Sequence, residues 1–205
     1  DDEAVPQRLE RQLDSLASRR RVAVIDGQLE WFGANSVAVG MAMYAARIHR
    51  VVDHAGFVAA FLRDSPVVHP AATLRRAAVQ EVGGYRSGPF PEDLDLWHRL
   101  ERAGFEFARV PEVLVWMRDL PSRATRTNPA YSRAAFRALA QQWLLGSVLH
   151  GPRRVVLWGG GRGGREWLRW LRSIGSGPLA IVDIAPRRLA AGQRHGVPVI
   201  APEAL

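Results

Sequence analysis

"GPFPEDLDLWHRLERAGFEF", residues 88–107, sets three carboxylates, Glu92, Asp93 and Asp95, into four positions at the mouth of an apolar helix. Two readings of those acids compete. Asp and Glu are favoured in the first turn of a helix, where the dipole is positive. On that reading Asp93 is the N-cap, Leu94, Leu96, Trp97, Leu100 and Ala103 form the buried stripe, and Gly104 stops the helix. Leu96 stands three residues after Asp93, so no capping box closes the turn. On the other reading the acids are a catalytic site.

Outward from this stretch the chain reads as α/β. Residues 105–118 predict two short strands around Pro111. Upstream, "VVH" begins as a strand that His69-Pro70 ends, a short helix follows at 74–81, and Gly83-Gly84 turns the chain. "RVAVID" (21–26) and "LEWFG" (29–33) predict two strands, and 35–66 reads mostly helical. Leu9, Leu13, Leu16 and Ala17 recur at helical spacing behind Pro6. Downstream, 119–131 predicts a loop. Ser132 is the expected N-cap of a helix over 133–149, with Phe136, Leu139, Ala140, Trp143, Leu144 and Val148 as its apolar stripe. Trp97 and Trp116 are expected in the core and His98 on the surface. Gly151-Pro152 marks the expected boundary between a first domain, 1–150, and a second, 151–205.

Composition bounds the rest. Of 205 residues, 47% are hydrophobic and 23% charged, which suits a globular chain. Cysteine is absent, so disulfides and thiolate metal sites are excluded within it. No run of about 18 apolar residues occurs, so no membrane-spanning helix is expected, and no signal-peptide pattern is visible. The cytoplasm, or the inner face of the membrane, is the expected location. Net charge is +8, and every one of the 28 basic residues is arginine. Residues 151–205 hold nine arginines against three acids. Such a surface suits phosphorylated substrates or anionic headgroups. Nucleic acid is not an expected partner, because no arginine-rich run with interleaved aromatics is present. The chain opens on Asp1 without a methionine, which predicts either a processed chain or a piece of a longer protein.

The motifs of 69–118 together resemble the C-terminal half of the catalytic domain in family 2 glycosyltransferases. They are His69-Pro70, Arg75-Arg76, Val82 to Arg86, Glu92 to Trp97, Gly104-Phe105, Pro111-Glu112, Leu114 and Arg118, in that order. "DDEAVPQRLERQL" is similar to the segment just after that family's metal-binding Asp-x-Asp. The resemblance covers about residues 1–135 and implies a partial GT-A fold, its acceptor side. It implies an inverting transfer of a sugar from a nucleotide-sugar donor to a glycan or a lipid-linked acceptor, in glycoconjugate or cell-surface polysaccharide synthesis. It assigns Asp93 as general base, with Glu92 and Asp95 beside it. It assigns Asp1 as a ligand of a divalent metal, Mg2+ or Mn2+. His69, Arg75, Arg76, Arg118 and Arg123 become candidates for contact with acceptor or diphosphate. A helix N-terminus is expected to keep Asp93 ionised and to weaken it as a base. The first metal-site aspartate and the nucleotide-binding half are expected upstream of Asp1, so the chain alone is expected to be inactive.

"VVLWGGGRGGREWLRWL" carries a second signal. Gly159-x-Gly161-x-x-Gly164 follows an apolar strand and opens a helix, the context in which glycines let a phosphate approach a helix N-terminus. Asp183 ends the next strand, where a ribose-binding acid belongs. The alternative is a fold that keeps the glycines for packing and binds nothing. With "IVDIAPRRLAAGQRHGVPVIAPEAL" the segment resembles the small Rossmann-like domain that follows some family 2 glycosyltransferases. It also resembles the N-terminal nucleotide-binding part of sugar acyltransferases. That implies a partial Rossmann-like βαβ module able to take a nucleotide or NAD, and it supplies the rival reading, a non-catalytic nucleotide-binding module.

Overall fold

In the computed structural model, which describes residues 2–33, 39–151 and 153–205, the chain divides into two units, Asp1–Ser147 and Val148–Leu205. Each holds a four-stranded sheet with helices, so the chain is α/β. In the first unit the elements run β1 (Glu3–Ala4), α1 (Arg8–Ala17), β2 (Val22–Phe32), α2 (Val39–Ile48), α3 (His54–Ala60), β3 (Thr73–Leu74), α4 (Arg76–Glu81), α5 (Glu92–Arg102), β4 (Glu106–Arg118), α6 (Ala124–Thr127) and α7 (Arg133–Gly146). The sheet order is β1-β4-β2-β3, with β2 and β4 parallel and the two short outer strands antiparallel to them.

The central pair departs from the sequence reading in a single way on both strands. Residues 21–33 and 105–118 each predict two strands, and each forms one. Gly27 does not close a strand; it stays inside β2, where a Cβ would lie 2.5 Å from the Leu114 side chain. The missing side chain lets Leu114 lie across the strand. Opposite it, Val110 pairs with Gly27 and Val113 with Gln28, so Pro111 and Glu112 are left out of the ladder. A bulge accommodates a proline because no N–H is needed there.

Several local expectations are overturned by tertiary contacts. Along α1 the buried side chains are Gln12 and Leu16, while Leu9 and Leu13 are 58% and 56% exposed. The Gln12 amide donates to the carbonyls of Ile25 and Ala71 and accepts from the Thr73 hydroxyl at 2.6 Å. A fully satisfied amide can be buried at little cost, and it turns the leucines outward. Val67-Val68 is not a strand: a 3-10 turn, His69–Ala71, follows it, and the strand is Thr73–Leu74. The expected loop after Asp119 contains α6 and a 3-10 turn at Pro129–Tyr131. Of the expected helical run 35–66, residues 35–38 lie outside the described residues, and the rest holds α2 and α3. Helix α7 stops at Gly146, which leaves Val148 half exposed. Trp116 is exposed, its indole N–H donating to Glu30 at 3.3 Å, whereas Trp97 is fully buried as expected.

The main core lies between the sheet and helices α3, α5 and α7: Phe57, Phe61, Leu94, Leu96, Trp97, Leu100, Phe107 and Trp143. Leu16, Val22, Ile25, Ala108, Val110 and Leu114 make a second cluster that includes α1. His98, expected on the surface, is buried in the main core. It stacks on Trp143 at 5.5 Å and meets Phe61 edge-on at 5.2 Å. Ala103 is exposed and drops out of the buried stripe.

The second unit contains β5 (Val156–Trp158), α8 (Arg162–Ser173), β6 (Ala180–Val182), α9 (Pro186–Ala190), β7 (Gln193–Arg194) and β8 (Val197–Ile200). Strands β5, β6 and β8 are parallel neighbours, and β7 closes the edge antiparallel to β8. Leu157, Leu168, Ile181, Leu189, Val197 and Val199 form its core. Of the expected boundary pair, Pro152 lies outside the described residues.

Candidate functional site

The first unit holds a cavity of about 640 Å³. Its walls come from the end of β2, from α2, from the segment 64–70, from the first turn of α5 and from the stretch 120–136. Asp93, His69, Arg123 and Asp2 all face it.

Asp93 is not the N-cap of α5. That position belongs to Pro91, and Asp93 is the second helical residue. Its Oδ1 accepts the N–H of Leu94 at 2.8 Å and its Oδ2 accepts the Ser65 hydroxyl at 3.2 Å. Burial raises its pKa above the ordinary carboxylate value, against the pull of the Leu94 N–H and of nearby His69. Desolvation outweighs those pulls, so Asp93 holds its proton more tightly than a position in the first turn of a helix alone implies. The other charged groups of the cavity have opposite partners: Asp2 has Arg123, Asp64 has Arg47, and Arg126 has Asp119. Among the described residues Asp93 has no ion-pair partner, and it sits 7% exposed at the cavity.

The neighbouring acids do other work. Glu92 accepts a bifurcated hydrogen bond from the Tyr131 hydroxyl, 2.8 Å from both carboxylate oxygens. That bond ties the helix mouth to the 129–131 turn, and it raises the Tyr131 pKa further beyond what burial does. Asp95 faces away from the cavity. It pairs with Arg99 at 2.7 Å, and Arg99 donates to the carbonyls of Val82 and Gly84. Asp95 thus fixes the turn that leads from α4 into α5.

His69 lies 2.8 Å from the Tyr85 hydroxyl through Nε2 and meets Trp97 edge-on at 5.6 Å. Arg75 does not face the cavity; it donates to the carbonyls of Leu16, Arg19 and Val22 and closes the C-terminal end of α1. Arg76 is exposed on α4, outside the cavity lining. The Arg118 guanidinium stands over the Phe32 ring at 4.8 Å, and its backbone N–H donates to Asp2. Arg123 reaches Asp2 at 3.3 Å, donates to the Arg118 carbonyl at 2.6 Å and covers the Trp31 ring. Arg118 and Arg123 are thus brought together around Asp2, while Arg75 and Arg76 are not.

Asp1, the expected metal ligand, lies outside the described residues. The Asp2 carboxylate is already engaged by Arg118 and Arg123. Among the described residues no group of three or more His, Asp and Glu side chains is arranged to hold a metal ion. The described side chains do not assemble a metal site, so no chemical step is routed through one.

Sequence reasoning passed over Tyr131, Ser65 and Tyr44. Tyr44 donates to the Ser65 carbonyl at 3.2 Å, and all three line the cavity. Their signal is tertiary, since 28 and 39 residues separate Asp93 from Ser65 and Glu92 from Tyr131.

In the second unit the glycines sit between β5 and α8. Gly159 has a φ of +96° and donates to the Val182 carbonyl at 2.7 Å. Gly161 is the N-cap of α8. At Gly164 a Cβ would stand 1.8 Å from the Gly159 carbonyl oxygen, so only glycine fits. Asp183, expected against a ribose, is occupied within the fold. It accepts from Gly160 N–H at 2.7 Å, Ala185 N–H at 2.9 Å and Arg188 Nε at 2.6 Å. Arg188 foremost, with the two N–H groups, holds its pKa well below the usual carboxylate range. No helix among the described residues is long and apolar enough to cross a membrane. No protein-family model matches the chain, and no curated protein matches it.

Proposed function

We propose that the first unit is the acceptor side of a GT-A-type inverting glycosyltransferase and that Asp93 is its general base. The observation that carries this reading is the buried Asp93 carboxylate, without an ion-pair partner among the described residues and with raised proton affinity, at a cavity. An acceptor hydroxyl attacks the anomeric carbon of a nucleotide sugar. The new carbon–oxygen bond forms as the bond to the diphosphate breaks, and that electron pair leaves with the nucleoside diphosphate. The hydroxyl proton passes to Asp93 Oδ. A carboxylate whose proton affinity is raised by burial is better matched to that task than an ordinary surface aspartate. Ser65 and the Leu94 N–H fix its orientation. Arg123 lines the cavity and, once released from Asp2, supplies a guanidinium for the diphosphate charge. The products fit glycoconjugate or cell-surface polysaccharide synthesis.

The test is transfer from a panel of nucleotide sugars by the native gene product, with Mg2+, with Mn2+ and with neither. Asp93→Asn is expected to lower turnover by roughly 100-fold or more, the scale of a lost general base, with donor binding little changed. Near-normal turnover in that variant would reduce Asp93 to a structural residue.

A second reading is favoured by the glycine loop. Gly159 and Gly164 hold a strand-to-helix turn that a side chain at Gly164 cannot enter, as in a Rossmann-like nucleotide-binding module. Nothing lies within 4 Å of a Cβ at Gly161. A side chain can therefore leave Gly161 without a clash at its Cβ, and Gly161→Trp is expected to fill the loop mouth. Saturable binding of NAD or a nucleotide that this substitution abolishes supports the module reading. Binding indifferent to it rejects the loop as the site.

A further inference from the structure

Helix α8, in the second unit, breaks two local rules at once. Its first turn carries no acid, and Arg162 and Arg165 stand there instead. Cations at that end oppose the helix dipole. Arg162, Arg165, Arg169 and Arg172 follow one another at intervals of three, four and three residues, and like charges at those intervals repel. Both features work against the helix, and departures of this kind concentrate where a surface serves function rather than stability.

The four arginines make one stripe. At 100° per residue they fall within about 80° of arc and run about 15 Å along the axis. All four are exposed. Leu168 packs with Ile181, Val197 and Val199 in the core of the unit. Trp167 and Trp170 meet edge-on at 5.4 Å on the opposite flank. Arg162, Arg165 and Arg169 have no ion-pair partner among the described residues. Arg172 gives an N–H to the His195 carbonyl and keeps its charge. Glu166, the one acid of the helix, is half-buried, and the nearby acid of β6, Asp183, is engaged by Arg188. The fold itself thus makes little use of the stripe. Its arginines stand about 4.5 to 6 Å apart along the axis. Headgroups diffuse in the plane of a bilayer and adjust to such uneven spacing, whereas the phosphates of a nucleic acid are fixed by their polymer. No aromatic side chain shares the stripe, so bases find no stacking platform there.

We propose that α8 is an electrostatic docking face for an anionic bilayer surface, held through Arg162, Arg165, Arg169 and Arg172. This depends on neither functional reading above. Each arginine close to an anionic leaflet strengthens binding about fivefold, and the attraction fades within a Debye length.

The test sediments the full chain with vesicles of phosphatidylcholine alone and with vesicles that also hold phosphatidylglycerol. Binding is expected to the second kind only. It is expected to disappear in about 1 M salt, where the screening length is about 3 Å. Arg165→Gln with Arg169→Gln, both exposed, is expected to weaken it about 25-fold. Arg165→Lys with Arg169→Lys keeps both charges and is expected to keep the binding. Arg19→Gln with Arg20→Gln removes equal charge from exposed positions of the first unit and is expected to leave binding nearly unchanged. No binding to the anionic vesicles, or equal binding to both kinds, overturns the proposal. So does a glutamine pair at 165 and 169 that binds like the parent, or a lysine pair that falls as far as the glutamine pair. An equal fall in the variant at 19 and 20 overturns α8 as the docking face. Tighter retention on a DNA or RNA duplex, lost with the glutamine pair at 165 and 169, assigns the face to nucleic acid and overturns the bilayer.

Discussion

Arg109 grips both carboxylate oxygens of Asp26, at 2.8 and 2.5 Å, in an interior where neither side chain is exposed. The same guanidinium donates to the carbonyls of Ile48, Val51 and Pro66, and Asp26 accepts the Val68 N–H at 2.7 Å. One ion pair thus joins the parallel strands β2 and β4 to the end of α2 and to the segment before His69. Helix α2, through Gly40, Met41 and Tyr44, and that segment both line the cavity. Breaking a buried pair by removing one partner leaves a charge without compensation. Arg109→Met is therefore expected to cost about 3–5 kcal/mol of stability, measured by urea unfolding. A loss under about 1 kcal/mol would show the pair to be no stronger than a surface contact.

Asp93 is expected to cost stability at neutral pH. Its folded pKa is raised, so the folded state holds the proton more readily than the unfolded chain does. Stability from this group is complete below the unfolded carboxylate pKa and is lost as pH rises through the folded one. Asp93→Asn removes that loss. The variant should be at least as stable as the parent at pH 7, and its advantage should vanish on acidification below the ordinary carboxylate range. Urea midpoints across that range check it. A variant clearly less stable at neutral pH would mean that ionised Asp93 holds the fold together.

His98 predicts acid sensitivity of the opposite sign. Both ring nitrogens are buried without a hydrogen-bond partner among the described residues, and burial pushes the pKa down to about 3. The unfolded chain binds this proton near the usual imidazole value and the folded chain does not. Stability is full above that value and falls with acid toward pH 3, by about 1.4 kcal/mol per pH unit. His98→Leu should flatten that part of the curve. An unchanged slope between pH 6 and pH 4 would mean that the ring takes up its proton in the folded state.

The glycine loop offers a paired test on neighbouring residues. Gly164→Ala drives a methyl group into the Gly159 carbonyl and is expected to destabilise the second unit by about 1–3 kcal/mol or more. Gly163 lies in the first turn of α8 with nothing within 4 Å of a Cβ. Gly163→Ala is expected to stabilise by about 0.5–1 kcal/mol. Equal effects of the two substitutions would show that the close approach of helix and strand is not what reserves position 164 for glycine.

Much of this was open to reading in the chain itself, wherever the signal was local. Ser132 caps α7 through its hydroxyl, as its position before an apolar stripe implies. The acids of 92–95 do start a helix, and Gly104 at φ +85° does end it. The strand, glycine turn, helix and strand of 156–182 follow from their periodicity. Tertiary contacts decided the rest. Gln12 displaced two leucines from the core because three partners distant in sequence satisfy its amide. Gly27 stays within its strand because Leu114 of the neighbouring strand fills the place of its missing side chain, and Pro111 stays within its own because it falls in a bulge outside the ladder. Asp95 became a strut and Asp93 a buried carboxylate at the cavity, although the two stand two residues apart on one helix. A helix turns 100° per residue, so it gave one acid to Arg99 and the other to a cavity. Local sequence determines that a helix starts at Glu92, whereas a carboxylate's proton affinity depends on which chain segments, here Ser65 and His69, fold over it.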